Sequence, residues 1–253
     1  MTEWFTQGPY GVRFEWGLAG AAALASSSSC LVIVDVLSFT TAVTVAVEAG
    51  MKVFPYAWRD ETAAEFARQN QAQLAAGRRA ASADSPWSLS PAALRRAPFT
   101  PRLVLPSPNG SAISSAAASG PATVIAACLR NARAAGSWLT GRSLGTPDQP
   151  ATVIAAGERW PDGSLRPALE DLLGAGAVIA AMHGQGSGPL SPEAEAARAC
   201  YEATGDLARA VSDCASGREL AEAGFADDVV IATEVNSCAV TPVLTGQAFT
   251  ATS

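Results

Sequence analysis

Asp35 follows an apolar run without a break, at VIVD, and the hydroxyls of Ser38, Thr40 and Thr41 come directly after it. Three further apolar runs end in polar residues. RLVLP at 102–106 leads to Asn109, Gly110 and Ser111, TVIAA at 123–127 to Arg130 and Asn131, and TVIAA at 152–156 to Gly157, Glu158 and Arg159. If these runs are neighbouring strands, their followers share one rim, where open α/β sheets bind ligands and helix N-termini converge. Carboxylates, amides, small hydroxyls and a cation on one rim have the composition of a Mg²⁺-dependent phosphate site. Hard oxygens suit the metal, and backbone N–H groups and hydroxyls suit phosphoryl oxygens. Each feature also has a plainer use: Ser38 or Thr40 as a helix N-cap, and SPNGS at 107–111 as a simple turn.

Glu170 and Asp171 lie in ALEDLLGAGAV, just beyond Pro167, a natural first-turn residue. Two carboxylates there complement the helix dipole. Leu169, Leu172 and Leu173 nevertheless draw the turn into the core, where an unpaired carboxylate is costly and a metal or an arginine would resolve it. His183, at the end of the same apolar stretch, reads as a C-terminal helix cap rather than a base. Arg13 and Glu15, between Phe14 and Trp16, look like the polar face of a strand, from which Arg13 could reach an anion. Asp227 and Asp228, ahead of VVIAT at 229–233, read as solvated.

Composition removes many alternatives. The 253 residues are 49% hydrophobic and 16% charged, which describes a compact globular protein and not a disordered chain or coiled coil. A net charge of −6 with one lysine, Lys52, leaves no basic stripe for a nucleic-acid backbone. One histidine excludes HExxH metallohydrolases and paired-histidine phosphatases. Lys52 does not follow a glycine-rich loop, and no GxSxG occurs, so P-loop and α/β-hydrolase chemistries recede. The five cysteines form no CxxC pair and read as reduced, mostly buried thiols. Glu3 precedes any basic residue and no apolar run is long enough to span a bilayer, so a cytoplasmic location is expected. The acidic, Ala-rich surface fits a homodimer as well as a monomer.

The elements that must position these residues are strands at 31–36, 52–57, 102–106, 123–127, 152–156 and 229–233. Helices are expected at 39–48, 60–79, 111–119, 130–140, 165–183, 192–203 and 218–223. Continuous apolar strands alternating with helices mean an α/β fold with a mostly parallel sheet buried on both faces. PATVIAA occurs at 121–127 and 150–156 and reads as two core strands with similar needs. One continuous domain, or two tightly packed lobes, is expected, with an excursion at 80–101.

The ordered set VDVLSFTTAVTVAVEAG, SPNGSAISSAA, VIAACLRNARAAGSWL, VIAAGE and ALEDLLGAGAVIAAM resembles the 2-phosphosulfolactate phosphatase family, from about residue 31 to 233. The resemblance implies a three-layer α/β/α fold, Mg²⁺ dependence, and hydrolysis of a sulfonated phosphate ester to sulfolactate and phosphate, in a route towards coenzyme M. It carries over to Asp35, Thr40, Thr41, Asn109, Gly110, Asn131, Glu170 and Asp171. The chain departs from the family at Ser38, where an arginine is common, at Gly77-Arg78-Arg79 for Gly-Glu-Arg, at SLSP 88–91 for Gly-Asn-Ser-Pro, and at Gly174 for a cysteine. Arg13, Arg130 and Arg159 are the candidates for the missing charge.

The reading that follows places the metal among Asp35, Glu158, Glu170 and Asp171, with Asp35, Glu170 and Asp171 catalytic. Ser38, Thr40, Thr41, Asn109, Gly110, Ser111, Arg130 and Asn131 bind substrate. The attacking group is either water or Asp35 through an aspartyl phosphate. Leu37 stands where the haloacid-dehalogenase pattern requires a second Asp, which favours water. The rivals are the same chemistry on another phosphorylated acid and a non-catalytic small-anion-binding protein.

Overall fold

A computed structural model describes residues 4–57, 60–80, 82 and 85–251. Glu3 and positions 81, 83 and 84 of the 80–101 excursion lie outside the described residues. The N-terminal half contains β1 (Val12–Trp16), α1 (Gly17–Ala25), β2 (Cys30–Val34), α2 (Phe39–Glu48), β3 (Lys52–Tyr56), α3 (Glu61–Gln69), β4 (Gln73–Leu74), α4 (Pro91–Arg96), β5 (Arg102–Pro106) and α5 (Gly110–Ala117). Next come β6 (Thr123–Ala127), α6 (Ala132–Thr140), β7 (Ala151–Ala155), β8 (Glu158–Arg159), β9 (Leu165–Arg166), α7 (Leu169–His183), α8 (Pro192–Ala203), α9 (Leu207–Asp213) and α10 (Ala215–Glu222). The described chain closes with α11 (Ala226–Ala232), β10 (Pro242–Thr245) and β11 (Ala248–Ala251).

Nine strands form one sheet in the order β1-β7-β2-β6-β10-β11-β3-β5-β4, parallel except where the β10–β11 hairpin is inserted. β2 is apolar and buried throughout because helices cover both of its faces. Val32 and Val34 pack with Leu139 of α6 and Leu173 and Val178 of α7. Leu31 and Ile33 pack with Phe39 and Val43 of α2 and Ile113 of α5 on the other face. The result is a three-layer α/β/α sandwich.

Register explains the rim. Val34 lies opposite Ala127 on one side and Ala155 on the other, so the chain leaves β2, β6 and β7 at one level. Asn109 and Gly110 follow β5, several strands away. α5 nevertheless packs against α1, β3 and β2, bringing its N-terminus back to Asp35.

The segment 229–233, read above as a strand, lies almost entirely in helix α11. A five-residue apolar run cannot separate strand from buried helix by periodicity. Here Asp227 and Asp228 stand in the first helical turn, and the sheet position goes to the C-terminal hairpin. Asp228, expected in solvent, is fully buried. Its Oδ1 accepts hydrogen bonds from the Ser90 hydroxyl and the Ala92 amide, joining α11 to α4. The helix expected over 60–79 ends at Gln69, ahead of the left-handed Gln71. Residues 165–166 belong to the β8–β9 hairpin rather than to α7. All five cysteines are free. Among the described residues, no helix is long and apolar enough to cross a membrane.

Candidate active site

The loop that leaves β2 is built around Asp35. Its Oδ1 accepts from the Phe39 amide at 3.0 Å and its Oδ2 from the Gly110 amide at 2.8 Å, so the first turns of α2 and α5 grip one carboxylate. Thr40 closes the loop from inside: its hydroxyl donates to the Asp35 carbonyl at 2.8 Å and accepts from the Asp35 amide at 2.9 Å. Thr41 donates to the Val36 carbonyl at 2.8 Å, and Ser111 to the Leu105 carbonyl at 2.8 Å. These three hydroxyls, read from sequence as ligands for phosphoryl oxygens, are fully buried and hold loop backbone instead. Ser38 does not cap α2 through its side chain; its Oγ accepts from Arg78 Nη2 at 2.6 Å.

Four carboxylates converge electrostatically on this loop. Asp171 at the start of α7 binds the Val36 amide through Oδ1 at 2.7 Å and the Gly157 amide through Oδ2 at 2.8 Å, tying the β2 and β7 exits together. Glu170 accepts through Oε2 from the Cys214 thiol at 3.3 Å. Glu158 accepts through Oε2 from the Asn109 amide nitrogen at 2.9 Å. Burial raises the Asp171 carboxyl well above its usual range, and the charges of Glu170 and Asp35 add to the shift. Burial also raises Asp35, against the opposing pull of the Phe39 and Gly110 amides and the Arg78 charge. Glu158 is pushed up to about 7, by burial first and then by Asp35. Among the described residues, no three His, Cys, Asp or Glu side chains form a ready metal-ligand cluster. Asp35 and Asp171 use both oxygens on backbone amides, whereas Glu158 and Glu170 each bond through one. Beside Glu158 and Asn109 opens a cleft of about 170 Å³, bordered by Trp16, Ala156, Arg159 and Leu165.

Arg130 and Asn131 stand apart from this group. Arg130 is buried against Thr44 and Glu48 on the later turns of α2, and against Glu234. Asn131 bonds the Cys128 amide and the Ala126 and Val240 carbonyls, pinning the β6 exit to the segment before β10. Of the other arginines considered for the missing charge, Arg13 is buried and donates to the carbonyls of Tyr10, Ser27 and Gly8. Arg159 donates to the carbonyls of Gly163 and Pro108. Among the described residues, the cation bonded to this loop is Arg78, missed as a site residue because it arrives from the turn at Arg78–Ala80. Asp228 behind it was missed as well. The only sequence signal was an arginine pair after Gly77.

A sequence model of the 2-phosphosulpholactate phosphatase family matches residues 21–247, nearly the whole chain. The chain belongs to the 2-phosphosulpholactate phosphatase family. The match takes in β2, the Asp35 loop, both amide donors to its carboxylate, and the turn of α7 that carries Glu170 and Asp171. No curated protein matches the chain. The family's name is that of a phosphatase, a phosphoric monoester hydrolase, and a small-molecule phosphate ester is the substrate class that fits this family.

Proposed function

We propose that this protein hydrolyses 2-phosphosulfolactate to sulfolactate and inorganic phosphate, with Mg²⁺ as cofactor. The observation that carries the reading is the grouping of Asp35, Glu158, Glu170 and Asp171 around the exits of β2 and β7, where the charge of Glu170 raises the other three carboxyls and that of Asp35 raises Glu158 and Asp171. Such a group calls for a cation, and its donors are the hard oxygens that suit Mg²⁺. Mg²⁺ commonly keeps several waters and takes only one or two carboxylates together with substrate phosphate. That habit fits a site without a preformed three-ligand cluster. Glu170, bonded through one oxygen, would hold it. When bound, the metal offsets negative charge on the phosphoryl group.

The chain's own residues supply the rest. Both Asp35 oxygens are occupied by amides, which favours water over Asp35 as the attacking group. Glu158, titrating near neutrality, suits a general base. It takes one proton from water as the new P–O bond forms and the ester P–O bond breaks. The departing hydroxy-acid oxygen gains a proton, so ester and water become alcohol and phosphate. Asn109 fixes the Glu158 carboxylate at the cleft.

The test is phosphate release from 2-phosphosulfolactate and a panel of other phosphorylated hydroxy acids, with Mg²⁺ or EDTA, on wild type and Asp35→Asn. Release that requires Mg²⁺, is greatest for phosphosulfolactate and is lost in Asp35→Asn is the expected outcome. A better ester in the panel would change the substrate. Release in EDTA at the wild-type rate would remove the metal, and release from no ester would sink the phosphatase reading.

A further inference from the structure

Arg78 is held in place from two sides yet keeps donors unspent. Its Nη2 donates to Ser38 Oγ at 2.6 Å. Its guanidinium lies 5.9 Å from the centroid of the Phe225 ring. Its Nε stands 3.4 Å from Asp228 Oδ2, but neither atom makes a hydrogen bond, and both are buried. Asp228 cannot swing to improve the contact, because Ser90 and Ala92 hold its other oxygen. The Arg78 side chain retains 21% exposure, so solvent reaches part of the group.

The unbonded Nε is buried against Asp228, so the part of the guanidinium that a ligand can reach is its solvent-exposed side, and the planar fork is shaped to take a carboxylate or sulfonate. The fork stands at Ser38, next to the loop whose Asp35 lies between α2 and α5. We propose that Arg78 determines specificity, its guanidinium binding the non-reacting carboxylate or sulfonate of the substrate while the phosphoryl group lies at the carboxylate rim. Asp228 is a positioning residue that keeps the fork turned toward Ser38. This assignment rests on the phosphatase reading for the reaction, though not for the binding of the acid.

The experiment compares wild type, Arg78→Gln, Arg78→Lys and Asp228→Asn on two esters: 2-phosphosulfolactate, which has further anionic groups, and phenyl phosphate, which has none. In Arg78→Gln the ratio of kcat/KM between the two is expected to fall about tenfold or more, through the KM of the acid. Arg78→Lys, which keeps charge without the fork, should recover part of that ratio, and Asp228→Asn should lower it by a smaller factor. A ratio within about twofold of wild type in Arg78→Gln overturns the proposal. If that variant does not fold, an undiminished ratio in Arg78→Lys overturns it instead. If wild type cleaves neither ester, the phosphatase reading fails by itself. Arg78 is then judged by thermal stabilisation with sulfolactate, which should be present in wild type and lost in Arg78→Gln. Equal stabilisation of both refutes the assignment.

Discussion

Gly110→Ala puts the geometry around Asp35 at risk with a single methyl group. A Cβ at this position would lie 2.5 Å from Phe39 Cδ1, 2.7 Å from Asp35 Oδ2 and 2.9 Å from Asp35 Cβ. Its φ is not left-handed, so backbone conformation raises no objection, and alanine in a helix is favoured over glycine by up to ~1 kcal/mol. Against that gain stand overpacking, at about 1–3 kcal/mol, and weakening of the Gly110 amide bond to a carboxylate, at about 1.5–3 kcal/mol. Phe39 is fully buried and cannot step aside. The clash therefore wins, with a net loss of about 2–4 kcal/mol, or roughly 5–15 °C in Tm for a chain of this length. Displacing Asp35 by a fraction of an ångström should also lower phosphate release by up to about a hundredfold. Urea unfolding, thermal scans and the release assay measure all three. Gly205→Ala is the control, since a Cβ there meets nothing, and its stability should stay within about 0.5 kcal/mol. A Gly110→Ala protein as stable and as active as wild type would refute the reasoning.

Two further outcomes follow from the same geometry. Glu158 rises from its ordinary 4.5 to about 7 on folding, so the stability it contributes is full below about pH 4.5 and is lost as pH rises through 7; Asp35 and Asp171 shift in the same direction. Tm should thus be lower at about pH 8 than at about pH 5.5, Mg²⁺ should raise it more at the higher pH, and Glu158→Gln should narrow the gap; a flat wild-type profile, or an unchanged gap in the variant, contradicts this. Asn131→Ala removes the bonds to Cys128, Ala126 and Val240 and should cost about 2–3 kcal/mol in urea unfolding while leaving KM of the folded enzyme unchanged; a raised KM at wild-type stability would return Asn131 to the substrate.

What could be read in the sequence was what a strand or a helix turn determines locally. Asp35, Glu158 and Asp171 follow strands or open a helix, and the parallel register of β2 with β7 brings their backbones together. The two five-residue TVIAA repeats fell on β6 and β7 for the same reason: each must be apolar on both faces. Thr40, Thr41 and Ser111 were visible as hydroxyls beside the site, but residue type does not reveal whether a hydroxyl faces substrate or its own loop. Arg130 and Asn131 show a different limit. They follow β6 at the right level, yet Arg130 runs along α2 to Glu48, away from Asp35, and no pattern along β6 encodes that direction.

The charge at the Asp35 loop was least legible, because its parts are remote in sequence. Arg78 reaches Ser38 across 40 residues, and Asp228 reaches Ser90 across 138. The contact also depends on α11, a segment whose five apolar residues favour a strand on propensity alone. In the fold, VVIA at 229–232 is helical because Asp228 just ahead of it has the Ser90 hydroxyl and the Ala92 amide to bind, and because the β10–β11 hairpin fills the sheet between β6 and β3. The same helix places a carboxylate behind Arg78. Misreading one apolar run as a strand therefore also removed the support for the cation, and the site had to look for its positive charge among arginines already satisfied elsewhere.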